Sequence, residues 1–195
     1  MKKDIILAGV GGQGILSIAA IIGTAAVESK LFVKQAEVHG MSQRGGAVQS
    51  HLRLSENEIA SDLIPQGKAD LVIAVEPMES LRYLPMLSKE GWLITSTKPY
   101  VNISNYPEIN QLLEEIEKIP LHITLDAEKI AKEIGSPKSA NMVVLGAAIP
   151  FLGISFEKLE KAVQIIFGRK GEEVVRINVE ALQAGKAHTE LVRSN

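Results

Sequence analysis

Short apolar runs alternate along the chain with segments whose apolar residues recur every three or four positions. Ile5 to Val10 reads as a strand stopped by glycines, and Ile15 to Ser29 carries small and apolar residues at helical spacing. Leu31 to Glu37 and Ala47 to Leu54 read as strands on either side of a polar, glycine-containing loop, Gly40 to Gly46. After a loop from Pro65 to Asp70, Leu71 to Val75 is a further strand. Pro77 suits a first helical position and opens a helix through Leu87, and Trp92 to Ser96 returns to the sheet.

The middle is more irregular. Pro99, Asn102, Asn105 and Pro107 mark a connection, followed by a helix over Ile109 to Lys118 and a strand over Leu121 to Leu125. Ala127 to Ile134 is helical until Gly135 and Pro137. Ser139 to Leu152 is so rich in Ala, Gly, Val and Leu that it reads as a buried helix able to approach the sheet closely. Phe156 to Phe167 has an amphipathic pattern, Gly168 to Gly171 is a charged turn, and Val179 to Ala187 closes the chain as a short helix. This alternation predicts a three-layer, Rossmann-like α/β domain with a mainly parallel sheet, helices on both faces, and a C-terminal tail from about 188 to 195.

Composition narrows the chemistry. The 195 residues are 46% hydrophobic and 23% charged, which fits one compact domain and excludes disorder. A formal charge of -2 offers no long-range pull on nucleic acid, and no stretch is long and apolar enough to predict a membrane span. Cysteine is absent, so this chain supplies no disulfide, thiolate nucleophile or cysteine-ligated iron-sulfur cluster. The cytoplasm is the expected compartment.

GVGGQG, Gly9 to Gly14, places glycines at 9, 11 and 14 between a strand and a helix, as G-x-G-x-x-G requires. In that motif Gly9 permits the tight turn, Gly11 leaves room for a phosphate, and Gly14 allows close helix packing. Glu37 near the end of the second strand is then a candidate for a ribose contact. The same glycines also serve a loop that relieves backbone crowding and binds nothing, and Gln13 can either meet a ligand oxygen or close its own loop. Gly12 completes the run.

The second unusual segment runs from Gln35 to Ser55. His39, Gly40, Gln43, Arg44, Gly45 and Gly46 place polar groups among glycines, where the backbone can aim them at a ligand or partner. A solvated turn has the same composition. His39, His51, His122 and His188 form no metal-ligand pattern, and Ser42 and Ser50 lack a nucleophile-elbow context. Glu114, Glu115 and Glu117 read as the wet side of a helix. No catalytic residue and no metal site is assigned.

GVGGQG together with EVHGMSQRGG, Glu37 to Gly46, resembles the small-subunit family of indolepyruvate ferredoxin oxidoreductases, the gamma-type module of the 2-oxoacid:ferredoxin oxidoreductases. SANMVVLGAA, Ser139 to Ala148, and FGRKGEEVVRINVEAL, Phe167 to Leu182, extend the likeness over the whole chain, as a single gamma-type catalytic domain. The resemblance implies oxidative decarboxylation of an arylpyruvate to aryl-acetyl coenzyme A and carbon dioxide, with ferredoxin reduced. It places thiamine diphosphate, Mg2+ and the iron-sulfur clusters mainly in a large alpha subunit, with coenzyme A as cosubstrate and ferredoxin reached through the complex. This chain is then an inactive partner on its own, and Gly9, Gly11, Gly12, Gln13, Gly14, His39, Gly40, Gln43, Arg44, Gly45 and Gly46 are cofactor-edge or subunit-interface positions rather than an NAD site. HGMSQRGG resembles the indolepyruvate branch more than pyruvate or 2-oxoglutarate modules. A pyruvate or other 2-oxoacid enzyme, and a standalone nucleotide-binding regulator, are the alternatives.

Overall fold

The computed structural model describes residues 1–39 and 45–194 and, for His39, the backbone only. The expectations for Gly40, Gln43 and Arg44, and for the His39 side chain, lie outside the described residues. Six strands form one sheet: β1 (Lys2–Val10), β2 (Phe32–His39), β3 (Ala47–Ser55), β4 (Ala69–Ala74), β5 (Leu87–Ser96) and β6 (His122–Leu125). Their order is β2-β3-β1-β4-β5-β6. β4, β5 and β6 follow β1 in parallel, whereas β3 pairs antiparallel with both β1 and β2.

The strand period of two sorts the core into halves. Ile5, Leu7, Leu71, Ile73 and Ile94 point to one face, under α1 (Ile15–Glu28), α4 (Ala127–Glu133), α5 (Ala140–Leu152), α6 (Phe156–Phe167) and α7 (Glu172–Ser194). Ile6, Val72 and Leu93 point to the other, where α2 (Pro77–Arg82) and α3 (Ile109–Glu117) bring Leu81, Leu113 and Ile116. The predicted three-layer α/β domain with a mainly parallel sheet is therefore the observed one.

Three boundaries differ. The helix opened by Pro77 stops at Arg82, and after a 3-10 turn at Leu84–Met86 the chain is already in β5. The first half of β5 carries the exposed Lys89 and Glu90, so the apolar pattern shows the strand only from Trp92. The last helix is 23 residues long and takes in residues 188–194, which the sequence suggested as a tail. Gly185 weakens the helical signal there, but Val179, Leu182, Gly185 and Thr189 recur at helical spacing and are buried. Thr189 Oγ1 donates to the Ala147 carbonyl at 2.8 Å. His188 Nε2 sits 2.9 Å from the Thr124 carbonyl of β6.

The small residues of α5 also do something other than expected. Gly146 faces Leu182 of α7, and Gly185 faces Val143 and Ala147 of α5, each with no room for a methyl group. The glycines let two helices touch backbone to backbone, rather than only letting α5 approach the sheet.

Candidate functional site

β1 and β4 are neighbours whose connections leave in opposite directions, β1 through α1 on one face and β4 through α2 on the other. A crevice opens beyond the carboxyl ends of strands at such a point, because the two following loops diverge there. Here it has a volume of about 420 Å³. Gly12 and Gln13 of the first loop line it, with Val75 after β4, Ser96, Lys98 and Tyr100 at the end of β5, and Lys138 and Asn141 before and within α5. A smaller hollow of about 270 Å³ lies on the other side of the loop, between Gly11, Leu16 and Val48.

The loop is held by its own atoms. Gln13 Oε1 accepts from the Val10 N–H at 2.8 Å, so this amide oxygen closes the turn. Gly12 and Gly14 have φ of 102° and 79°, a region that side chains rarely adopt. A Cβ on Gly9 would lie 2.6 Å from Val75 Cγ2 and 2.8 Å from Ile15 Cδ1. Gly14 abuts Asn141, whose Nδ2 donates to the Gly14 carbonyl at 3.2 Å, so α5 and the start of α1 are fastened across the crevice. Gly14→Ala is expected to strain the backbone and push on Asn141. A loss of about 1–3 kcal/mol in a urea titration checks this.

The two sequence motifs meet. Gly11 N–H donates to the Gly46 carbonyl at 2.8 Å, and Gly45 N–H to the Gly11 carbonyl at 3.3 Å, extending the β1–β3 ladder into the glycine-rich loop. Asn102 Nδ2 then donates to the Gly45 carbonyl at 2.7 Å. Residues from three distant stretches thus form one rim.

Glu37 is elsewhere. β3 lies between β1 and β2, so Glu37 is two strand spacings, roughly 10 Å, from the glycine-rich strand. Its carboxylate accepts from Gln35 Nε2 on the same strand. The ribose contact suggested by the spacing therefore has no geometric basis.

Behind the crevice, Glu76 is fully buried at the N-cap of α2. Its Oε2 accepts from Glu79 N–H at 2.8 Å, and its Oε1 accepts from Tyr106 Oη and from Tyr100 N–H. Burial, then the Glu76 hydrogen bond, pushes the Tyr106 hydroxyl well above the ordinary tyrosine range, so it stays a donor. Glu79 is buried beside it; burial raises its carboxyl above the ordinary range, against the pull of Arg82. Val75, Glu76, Ser96, Lys98, Tyr100, Tyr106, Asn102 and Asn141 were not identified from the sequence. Their common signal is closeness to the carboxyl end of a predicted strand, as for Val75, Glu76, Ser96 and Lys98, or to the start of a predicted helix, as for Tyr106 and Asn141.

The chain has no cysteine to bind an iron-sulfur cluster, and among the described residues no three His, Asp or Glu converge as a cation site. No described helix is long and apolar enough to cross a membrane.

Residues 4–188 match the family described as pyruvate ferredoxin/flavodoxin oxidoreductase, and the chain belongs to it. Within that family it is 37% identical over 194 residues to the indolepyruvate oxidoreductase subunit IorB of Archaeoglobus fulgidus, covering 95% of this chain and 94% of that one. It is 31% identical to the 2-oxoglutarate synthase subunit KorC of Methanothermobacter marburgensis, over 95% of this chain and 96% of that one. Among solved structures, the 2-oxoglutarate:ferredoxin oxidoreductase of Magnetococcus marinus, with 2-oxoglutarate, coenzyme A and succinyl-CoA bound, superposes with a TM-score of 0.78 at 25% identity. That match covers 97% of this chain but only 31% of the longer one.

Proposed function

We propose that the chain is the small subunit of a cytoplasmic arylpyruvate:ferredoxin oxidoreductase, with indolepyruvate as the representative substrate. The end-to-end likeness to the archaeal IorB subunit carries this reading. In the overall reaction a 2-oxoacid loses carbon dioxide, the acyl carbon forms a thioester with coenzyme A, and two electrons pass to ferredoxin with release of a proton. The decarboxylating and electron-carrying groups are assigned to a large partner subunit, a reading supported for the iron-sulfur clusters by the lack of any cysteine in this chain.

The switch-point crevice is this chain's own contribution. Lys98 and Lys138 line it as the cations for a phosphate, Lys98 sharing its charge with Asp126 at 3.8 Å and Glu128 lining the same crevice, and the polar loop edge at Gly12 and Gln13 provides a backbone wall for the coenzyme A path. Gly9, Gly11, Gly14, Gly45 and Gly46 shape that edge. None of these residues is assigned a proton transfer or a nucleophilic attack.

A subunit specific for 2-oxoglutarate or another 2-oxoacid is the second reading, supported by the likeness to KorC. Affinity purification from native extract, followed by an anaerobic assay of ferredoxin reduction, separates the two. The expected result is a large cysteine-rich partner and turnover that requires both an arylpyruvate and coenzyme A, with the isolated chain inactive. Turnover with pyruvate or 2-oxoglutarate instead favours the second reading. A partnerless monomer that binds a nucleotide tightly contradicts both.

A further inference from the structure

The connection from Lys98 to Glu108 has unusual chemistry for an exposed segment. It holds two tyrosines, Val101 and Ile103, has prolines at 99 and 107, and carries no charged residue between Lys98 and Glu108 in a chain that is 23% charged. Tyr100, Val101 and Ile103 are 44%, 68% and 40% exposed. Apolar side chains of this size rarely stand together in water without a partner, and the centre of a protein interface is depleted of charge and enriched in tyrosine.

The segment is also held in shape. Tyr100 N–H and Tyr106 Oη both donate to the buried Glu76 carboxylate, and Lys98 N–H donates to Ser96 Oγ at 3.3 Å. Asn102 fastens it to Gly45, beside the glycine-rich loop. A loop fixed before association loses less entropy on binding, which favours affinity over mere solvation. Val27 on α1 and Ile165 on α6 are also exposed apolar residues, but they lie on regular helices rather than in a connection beside the crevice.

We infer that Tyr100, Val101 and Ile103 form a preformed ridge on which the large partner subunit docks, closing the mouth of the crevice. The inference rests on the subunit reading above. The occupant is a large oxidoreductase chain because the structural relative from Magnetococcus marinus, itself an oxidoreductase, matches this fold over less than a third of its polypeptide and joins it covalently to more than two thirds of further chain. Tyr100 and Lys98 line the crevice itself, so a chain seated on the ridge also walls the proposed coenzyme A path.

The test is assembly of the full-length chain, co-expressed with its large partner, carrying Val101→Asp and Ile103→Asp together. Val27→Asp with Ile165→Asp serves as the control. We expect the ridge variant to bind the partner at least about thirtyfold more weakly, the scale of one interface hot spot, while its own melting temperature stays at the wild-type value and the control assembles normally. Normal assembly of the ridge variant overturns the ridge and leaves the subunit reading standing. A wild-type chain that recovers no large partner overturns both.

Discussion

Arg53→Met is expected to destabilise the fold by about 3–5 kcal/mol, because it leaves Asp4 charged in the interior without its main partner. Asp4 is 1% exposed, and Arg53 reaches it from the adjacent strand with Nε at 2.7 Å and Nη2 at 3.0 Å. The same guanidinium donates through Nη1 to the carbonyls of Ser61 and Leu63, pinning the 56–64 segment over β3. Lys2 alone, exposed on the surface at 3.0 Å, cannot replace that geometry. Burial would raise the Asp4 carboxyl, but the hydrogen bonds and charges of Arg53 and Lys2 outweigh it and hold Asp4 below the ordinary aspartate value.

The pH dependence has a definite sign. With a depressed folded pKa, the wild-type pair is fully stabilising above the ordinary value of about 4 and is lost only as pH falls further, through the folded value. In the Arg53→Met protein burial dominates, the Asp4 pKa rises, and the folded state gains from proton uptake as pH falls. The stability gap between the two proteins, measured by urea titration, is therefore expected to narrow from pH 7 toward pH 4. A small gap at pH 7, or one that does not change on acidification, contradicts the buried-charge explanation.

The second large effect is expected at Gly185→Ala. Alanine normally strengthens a helix relative to glycine by about 1 kcal/mol, so propensity alone predicts stabilisation. Here the added methyl group would press into the Val143 carbonyl and lie 2.8 Å from the Ala147 nitrogen, both backbone atoms of the buried α5. Those atoms cannot rotate aside, so α7 must lift away and open the contacts of Leu182 and Thr189. A net loss of about 3 kcal/mol follows, seen as a melting temperature lower by roughly 6–12 °C. Gly146→Ala acts on the same contact from the other helix, against the Leu182 backbone. The double variant should lose less than the sum of the two, since one separation relieves both clashes. A more stable Gly185→Ala protein would mean that the helices are not in backbone contact.

Much of the fold was legible because strand and helix periods are local properties. Ile5 to Val10, Leu71 to Val75 and Ile109 to Lys118 needed only their own side-chain patterns to fall within a residue or two of the observed elements, apart from strand ends that extend further. The antiparallel insertion of β3 was not legible, since nothing within β2 or β3 states which neighbour each will meet. That single pairing moved Glu37 away from the glycine-rich strand and removed the dinucleotide geometry that sequence spacing had suggested.

The site divides in the same way. The glycines at 9, 12 and 14 were visible as glycines, and their place between strand and helix followed from the sequence. Their neighbours were not, because Val75, Asn102 and Asn141 are brought to them only by the sheet order and by the packing of α5. Gln13 presented two uses of its amide, and the fold supplied the turn in which its oxygen meets Val10 N–H.

The sequence by itself determined the alternation of elements, the sorting of apolar residues between two faces, and the absence of cysteine ligands, because each depends on residue type and near-neighbour spacing. Only the tertiary structure decided that Gly11 meets Gly46, that Glu76 anchors Tyr100 and Tyr106, and that Gly146 and Gly185 serve one helix contact. Those are meetings between distant segments. Their energies arise only after the chain has closed the loops between them.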